Sequence, residues 1–158
     1  MNSKTTATMD LVKLCCRVLD DKKAGELTVL DVSAQSSITD YLILATATSE
    51  PHLRALRIEL EKALDAGDVH LVGMEIAQNS GWTVIDAFDV MIHLFLTDAR
   101  ERYGLERLWR DSTDVPLAKV LGRTKKAATA KPRAARKKKT EKKVEGGKRK
   151  ARRSAADK

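Results

Sequence analysis

The sequence predicts an α/β domain with one mixed sheet of about five strands, helices mainly on one face of that sheet, and a disordered basic C-terminal tail. Two observations support this prediction. Segments of helical and strand periodicity follow one another in the order helix, strand, strand, helix, strand, strand, strand, helix, which is typical of one sheet with packed helices. From residue 119 onward the chain is almost entirely Lys, Arg, Ala, Thr, Pro and Gly, and its large apolar side chains there are Val120, Leu121 and Val144.

The first predicted helix is amphipathic and is followed by a strand. Apolar residues recur at three- and four-residue spacing over residues 8–22, which predicts a helix with Thr8 or Asp10 near its start. Gly25 is its expected end. Residues 27–32 are rich in β-branched and aliphatic side chains and predict the first strand.

The middle of the chain predicts two strands on either side of a second helix. Residues 41–46 form the second strand. Ser49 is a suitable N-cap, because its hydroxyl can accept a hydrogen bond from a free backbone N–H of the first turn, and Gly67 is the expected stop. Residues 69–74 predict a short third strand.

The last predicted elements are a strand hairpin and a short helical segment. Residues 82–87 and 90–96 predict the fourth and fifth strands. Thr97 or Asp98 can cap a helical segment over residues 99–110, which we expect Gly104 to interrupt.

The register of the hairpin sorts its side chains into two apolar sets. With Ala87 and Phe88 as the loop, Trp82 is opposite His93 and Val84 is opposite Met91. The aliphatic set, which predicts core, is Ile85, Val90, Ile92 and Leu94. The other set predicts an interaction surface, because aromatic residues and Met are common at the centres of protein contacts; it is Trp82, Val84, Met91, His93 and Phe95.

The sequence allows a second prediction for this face. The segment 99–110 can fold back over it, with Tyr103, Leu105, Leu108 and Trp109 as its cover. His93 is then a core or rim imidazole, and no partner at metal-ligand spacing accompanies it.

Charge divides the chain at residue 119. Residues 1–118 hold 12 Lys/Arg and 19 Asp/Glu, a net charge of −7, whereas residues 119–158 hold 18 and 3, a net charge of +15. We therefore expect a flexible N-terminus at residues 1–7, a folded domain at residues 8–118 and a tail at residues 119–158 that is disordered when free. The tail is either a solubilising extension or a nucleic-acid-binding segment that contacts phosphates without reading sequence; its candidate RNA-contact residues are Lys125, Lys126, Lys131, Arg133, Arg136, Lys137, Lys138 and Lys139.

Several functional classes are disfavoured. No apolar run approaches the length of a membrane span and the N-terminus lacks an apolar stretch of signal-peptide type, so we expect a cytoplasmic protein without membrane contact. Cys15 and Cys16 are adjacent, with no further Cys or nearby His, and predict small buried thiols. We expect no cofactor, no metal and no catalytic residues.

Two ordered motifs carry a family resemblance. The stretch from Trp82 to Trp109 reads W-x-x-x-D, then a His-bearing strand, then Y-x-L-E-x-L-W, and residues 36–49 read SSITDYLILATATS. Over roughly residues 8–111 the chain resembles the ribosomal silencing factor family, also called Iojap-like or RsfS proteins. It departs from the family pattern at Ile76 and Phe88, where Gly is usual, and at Arg102, where an aromatic residue is common.

The resemblance implies a five-stranded mixed sheet related to nucleotidyltransferase domains, and a translation repressor without enzymatic activity. Such a repressor binds a protein at the intersubunit face of the large ribosomal subunit and sterically blocks joining of the small subunit, and the tail can touch neighbouring ribosomal RNA. We expect a monomer or a weak homodimer. The expected ribosomal-protein-binding residues are Glu75, Trp82, Val84, Asp86, Met91, His93, Tyr103 and Trp109.

Two other functions are weighed against this one. Asp40, Asp86 and Asp89 raise the possibility of a nucleotidyltransferase-like nucleotide-binding enzyme, because carboxylates at strand ends bind metals and phosphates. The chain lacks the Gly-Ser loop and the paired carboxylates on one strand that this reaction needs. Asp86 and Asp89 more simply serve a strand-end turn, and Asp40 can accept backbone hydrogen bonds at the entry to the second strand. The third possibility is a nucleic-acid-binding architectural protein that acts through its tail.

Overall fold

The structure is a computed structural model that describes residues 3–77 and 80–122. Its six strands form one sheet in the order β3-β4-β5-β2-β1-β6. The elements in chain order are α1 (Ser3–Asp21), β1 (Gly25–Asp31), β2 (Tyr41–Ala47), α2 (Glu50–Ala66), β3 (Gly73–Ala77), β4 (Trp82–Ala87), β5 (Val90–Leu96), α3 (Thr97–Tyr103), α4 (Leu105–Leu108), β6 (Thr113–Asp114) and α5 (Leu117–Val120).

The sheet is mixed, as predicted. β2 and β5 are parallel at its centre, and the other neighbouring pairs are antiparallel. The parallel pair requires a crossover connection, which α2, β3 and β4 supply. The sixth strand, β6, was not predicted from the sequence, because its two residues are too short to show a periodicity.

The larger core lies between the sheet and α1 and α2, which cover one face. Leu56 and Leu60 of α2 and Val12 of α1 pack there against Ile43 and Ile92 of the central strands. A smaller core lies on the opposite face beneath α3 and α4; its buried members are Leu30, Val32, Leu42, Leu44, Phe95, Ala99 and Leu105. The prediction of helices mainly on one face is confirmed.

The N-terminal boundary differs from the prediction. α1 begins at Ser3, so the described part of the N-terminus predicted to be flexible is helical. Thr8 lies inside the helix, where its hydroxyl donates to the Lys4 carbonyl at 3.0 Å and does not cap the first turn. Gly25 is the first residue of β1, and Lys23 supplies the positive φ, 62°, in the turn before it.

Four other boundaries test the local patterns. Ser49 caps α2 as predicted, because its Oγ accepts a hydrogen bond from the His52 N–H at 3.3 Å. The predicted break at Gly104 is confirmed, with φ 53°. The predicted cap of the preceding helix is wrong, since Leu96 occupies the N-cap position without a side-chain hydrogen bond. The third strand begins at Gly73, and the predicted strand residues before it lie outside the sheet.

The C-terminal boundary at residue 118 divides a short helix that belongs to the core. Val120 in α5 is 1% exposed and packs in the larger core, and Leu121 is half-buried against it. The expectation that everything after residue 118 stays outside the fold is therefore wrong at these two residues. The predicted RNA-contact residues of the tail lie outside the described residues.

Cys15 and Cys16 are buried in α1, as predicted. Burial is the main cause that raises the pKa of each thiol to about 12, so both stay protonated at neutral pH. Within the described part of the chain no helix is long and apolar enough to cross a membrane.

Candidate protein-binding surface

The β4–β5 hairpin carries a set of apolar and aromatic side chains on the face opposite α1 and α2. Trp82 is paired with Phe95, Val84 with His93, and Asp86 with Met91. The predicted register is therefore wrong by two residues, because the loop is Phe88–Asp89 and Ala87 remains paired with Val90. A shift of two keeps every side chain on its face, so the predicted division into two faces is correct.

An aromatic cluster occupies one end of this face. The Trp82 ring stacks on Phe95 with centroids 5.4 Å apart, and the Tyr103 ring of α3 lies 4.5 Å from Trp82. Phe95 is fully buried, Trp82 is half-buried and Tyr103 is 42% exposed. The exposure of the side chains therefore increases across the cluster, from Phe95 through Trp82 to Tyr103 at its rim.

The helical segment covers only part of the face. Leu105 is buried in the smaller core and Trp109 is half-buried against it, but Leu108 is 77% exposed and covers nothing. Val84 and Met91 remain half-buried. The alternative prediction, in which the helical segment covers this face, is thus correct for the aromatic end. It is wrong for the part of the hairpin that carries Val84 and Met91.

His93 lies beneath this surface. It is 5% exposed, and the register places it between Val84 of β4 and Leu44 of β2. The Trp82 Nε1–H donates to His93 Nδ1 at 3.3 Å, so the proton of the neutral imidazole lies on Nε2, which has no hydrogen-bond partner among the described residues. The expected direct contact of His93 with a partner is therefore corrected, because its side chain supports Trp82 from within.

Arg100 fixes the position of the helical segment, a role that no sequence pattern predicts. It is 8% exposed on α3, and its Nε and Nη2 donate to Glu106 Oε1 at 2.8 and 2.7 Å. Nη1 donates to the Glu26 carbonyl at 2.6 Å and to Thr46 Oγ1 at 2.9 Å, and Nη2 to Thr28 Oγ1 at 3.2 Å. One guanidinium thus joins α3 and α4 to β1 and β2.

Glu26 shows why an arginine is needed at this position. The register of β1 against β2 is irregular between Gly25 and Thr28, and Glu26 takes a φ of 44° there. Such an irregularity leaves a strand carbonyl without its ladder partner. Arg100 supplies that partner from a helix 74 residues further along the chain, a separation that no local pattern reveals.

Acidic groups border the apolar part of the surface. Glu75 of β3 is exposed and paired with Val84. Asp86 is half-buried, and its Oδ1 accepts a hydrogen bond from the Phe88 N–H at 3.0 Å. Asp89 pairs with Lys4 at 3.2 Å and accepts from the Thr8 hydroxyl at 3.3 Å. Asp86 and Asp89 thus have the turn and strand-end roles that the sequence favours.

The fold and this surface together define a small α/β protein whose mixed sheet is covered by two long helices on one face and carries an aromatic cluster on the other. The family model described as "Ribosomal silencing factor during starvation" (RsfS) matches residues 5–147. The chain therefore belongs to the ribosomal silencing factor family, as its two motifs predict.

Individual relatives agree with this membership. The chain is 31% identical to ribosomal silencing factor RsfS of Halalkalibacterium halodurans over 115 residues, 73% of this chain and 98% of that one. It is 29% identical to the mouse protein "Mitochondrial assembly of ribosomal large subunit protein 1", over 72% of this chain and 51% of the mouse protein. The crystal structure of protein CV0518 from Chromobacterium violaceum is similar with a TM-score of 0.62 and 30% identity, covering 70% and 88% of the two chains.

The buried His93 predicts a pH-dependent stability. Burial lowers the pKa of its imidazole from 6.5 to about 4 in the folded protein. Between these pH values the unfolded chain binds more protons, so the contribution of His93 is full above pH 6.5, falls as the pH falls through that value, and is lost below pH 4. The loss amounts to about 3 kcal/mol of unfolding free energy.

We expect His93→Gln, which keeps an acceptor for the Trp82 indole, to show a smaller loss of stability between pH 7 and pH 4 than the natural chain. Urea unfolding at both pH values measures it. The carboxylates titrate in both proteins and cancel in the comparison. Parallel pH profiles would contradict the assigned neutral, buried state.

Proposed function

We propose that the protein binds the large ribosomal subunit through a protein at its intersubunit face and thereby blocks joining of the small subunit. The docking face is the set of residues in and beside the hairpin on the sheet face away from α1 and α2, namely Glu75, Trp82, Val84, Asp86, Met91, Tyr103 and Trp109. Repression by occlusion needs a stable contact and no chemical step, so we propose that the protein is not an enzyme.

The observation that carries the proposal is the incomplete cover of the apolar sheet face. Val84 and Met91 stay half-buried next to an aromatic cluster that ends in the exposed Tyr103. A half-open apolar face with aromatic side chains is the usual composition at the centre of a protein contact. Glu75 and Asp86 add negative charge at its border, which suits a basic ribosomal protein.

Family membership supports the ribosome as the site of action. The bacterial relatives are named as ribosomal silencing factors, and the mouse relative is named for assembly of the large ribosomal subunit. The nucleotidyltransferase alternative has less support, because Asp86 and Asp89 are engaged by the turn and by α1. Among the described residues no group of three or more His, Cys, Asp or Glu side chains is arranged to hold a metal.

The docking face can be tested without disturbing the aromatic cluster. We expect the double variant Val84→Ser with Met91→Ser to lose at least about tenfold in affinity for large subunits, equivalent to roughly 1.4 kcal/mol, because both side chains contribute apolar contact area. Its unfolding should stay cooperative, since both positions are only half-buried. Co-sedimentation with separated subunits measures the affinity, and light scattering measures subunit joining.

A matched control is Ile58→Ser on α2. Ile58 is also half-buried and aliphatic, but it lies on a helix of the other face. It should bind and repress like the natural chain. Equal binding to small subunits, or unchanged binding of the double variant, would refute the proposed docking face.

The basic tail adds a second, salt-sensitive contact in this proposal. Residues 123–158 hold 17 Lys/Arg against 3 Asp/Glu, a net charge of +14 that suits phosphate contacts on neighbouring RNA. The domain itself, proposed to end near residue 122 after α5, contains the docking face. Recognition of the large subunit by the domain and non-specific attraction of the tail to RNA can therefore be measured separately.

We expect removal of residues 123–158 to keep the preference for large subunits and to flatten the salt dependence of binding. Each phosphate neutralised by the tail contributes roughly 0.7–0.9 to the slope of log affinity against log salt. The affinities of the full chain and the truncated chain should therefore differ most at low salt and converge at high salt. Parallel slopes would leave the tail as a solubilising extension, and loss of subunit preference would transfer recognition to the tail.

A further inference from the structure

Three exposed apolar residues lie in segments that meet at one end of the sheet. Ile38 is 77% exposed, Val72 57% and Phe88 66%. The Val72 N–H donates to the Asp86 carbonyl at 2.9 Å, and the Asp40 N–H donates to the Asp89 carbonyl at 2.9 Å. These bonds place the segments before β3 and before β2 on either side of the hairpin turn, and we call Ile38, Val72 and Phe88 the hairpin-end surface.

Phe88 is held in a costly backbone conformation. Its φ is 66°, in the left-handed region that favours glycine, and its N–H donates to Asp86 Oδ1. The ring is mostly in solvent and adds little to either core. Glycine would relieve the strain at this turn, so folding alone does not account for an aromatic residue here.

The surroundings of this surface are acidic. Asp86 precedes the turn, Asp89 is the second turn residue and pairs with Lys4, and Asp40 follows the loop that carries Ile38. Asp31 is paired with Tyr41 at the same end of the sheet, and Asp31 and Asp40 add to burial in raising the pKa of Tyr41. A nucleic acid would bring phosphates against these carboxylates, and a second copy would bring like carboxylates together.

We infer that the hairpin-end surface is an additional anchor for a protein partner, in which Phe88 enters an apolar pocket bordered by Lys or Arg side chains. This inference rests on the proposed function and extends its contact. The two surfaces are continuous, because Asp86 and Met91 are paired in the same hairpin two residues before and two residues after the turn. Ile38 and Val72 widen the apolar area on either side of the ring.

The test uses the full chain and purified large subunits. We expect Phe88→Gly and Phe88→Asn, which both tolerate a positive φ, to lower the affinity at least about tenfold while leaving the melting temperature unchanged or higher. The double variant Ile38→Ser with Val72→Ser should show a smaller loss in the same direction. Ile76→Ser is the matched control, because Ile76 is 53% exposed on β3 but is paired with Thr83, away from the turn.

The outcomes separate this inference from the proposed function. Binding of both Phe88 variants at the strength of the natural chain would overturn the inference while leaving the docking face intact. A clearly lower melting temperature would assign the ring to the fold and would also overturn it. Loss of a dimer in sedimentation velocity would identify a second copy as the occupant, against the inference. Failure of the natural chain itself to bind large subunits would overturn both proposals.

Discussion

The structure depends on the central strand β5, which is apolar on both sides. Ile92 and Leu94 face the two long helices, whereas Met91, His93 and Phe95 face the other way. Two long helices cover one face, and the short segment of α3 and α4 covers only the aromatic end of the other. Because uncovered apolar surface is unfavourable in water, the remaining area favours a partner, and the proposed function follows from this mismatch between sheet and helices.

Arg100 fixes the position of α3 and α4, the short helical segment that covers the aromatic end of this face. Its hydrogen bonds to Glu106, Thr46 and the Glu26 carbonyl hold α3 and α4 over Phe95. The side chain is buried, but every donor nitrogen has a partner, so the burial of its charge is compensated. The same arrangement keeps Tyr103 on the edge of Trp82, and the exposed rim of the docking face is thereby preorganised.

Local patterns were sufficient for the fold class, the two faces of the hairpin and the break at Gly104, because these depend on periodicity and on the conformational freedom of glycine. They were insufficient for the hairpin register, since Phe88 adopts a positive φ that its residue type disfavours. Arg100 bonds across more than 50 residues, and Val120 lies in a basic composition but in an apolar environment. Tertiary contacts determine the hydrogen bonds of Arg100 and the burial of Val120, and the local sequence around each residue does not predict them.

The most direct test of the docking face compares methionine oxidation by hydroxyl radicals in the free chain and in its complex with large subunits. Met9, Met74 and Met91 are all half-buried, but the first two pack against the core on the helical side and Met91 belongs to the docking face. Binding should slow the oxidation of Met91 by at least about tenfold, in keeping with burial at the centre of an interface, and leave Met9 and Met74 unchanged. Protection of Met9 or Met74 with unchanged Met91 would contradict the account.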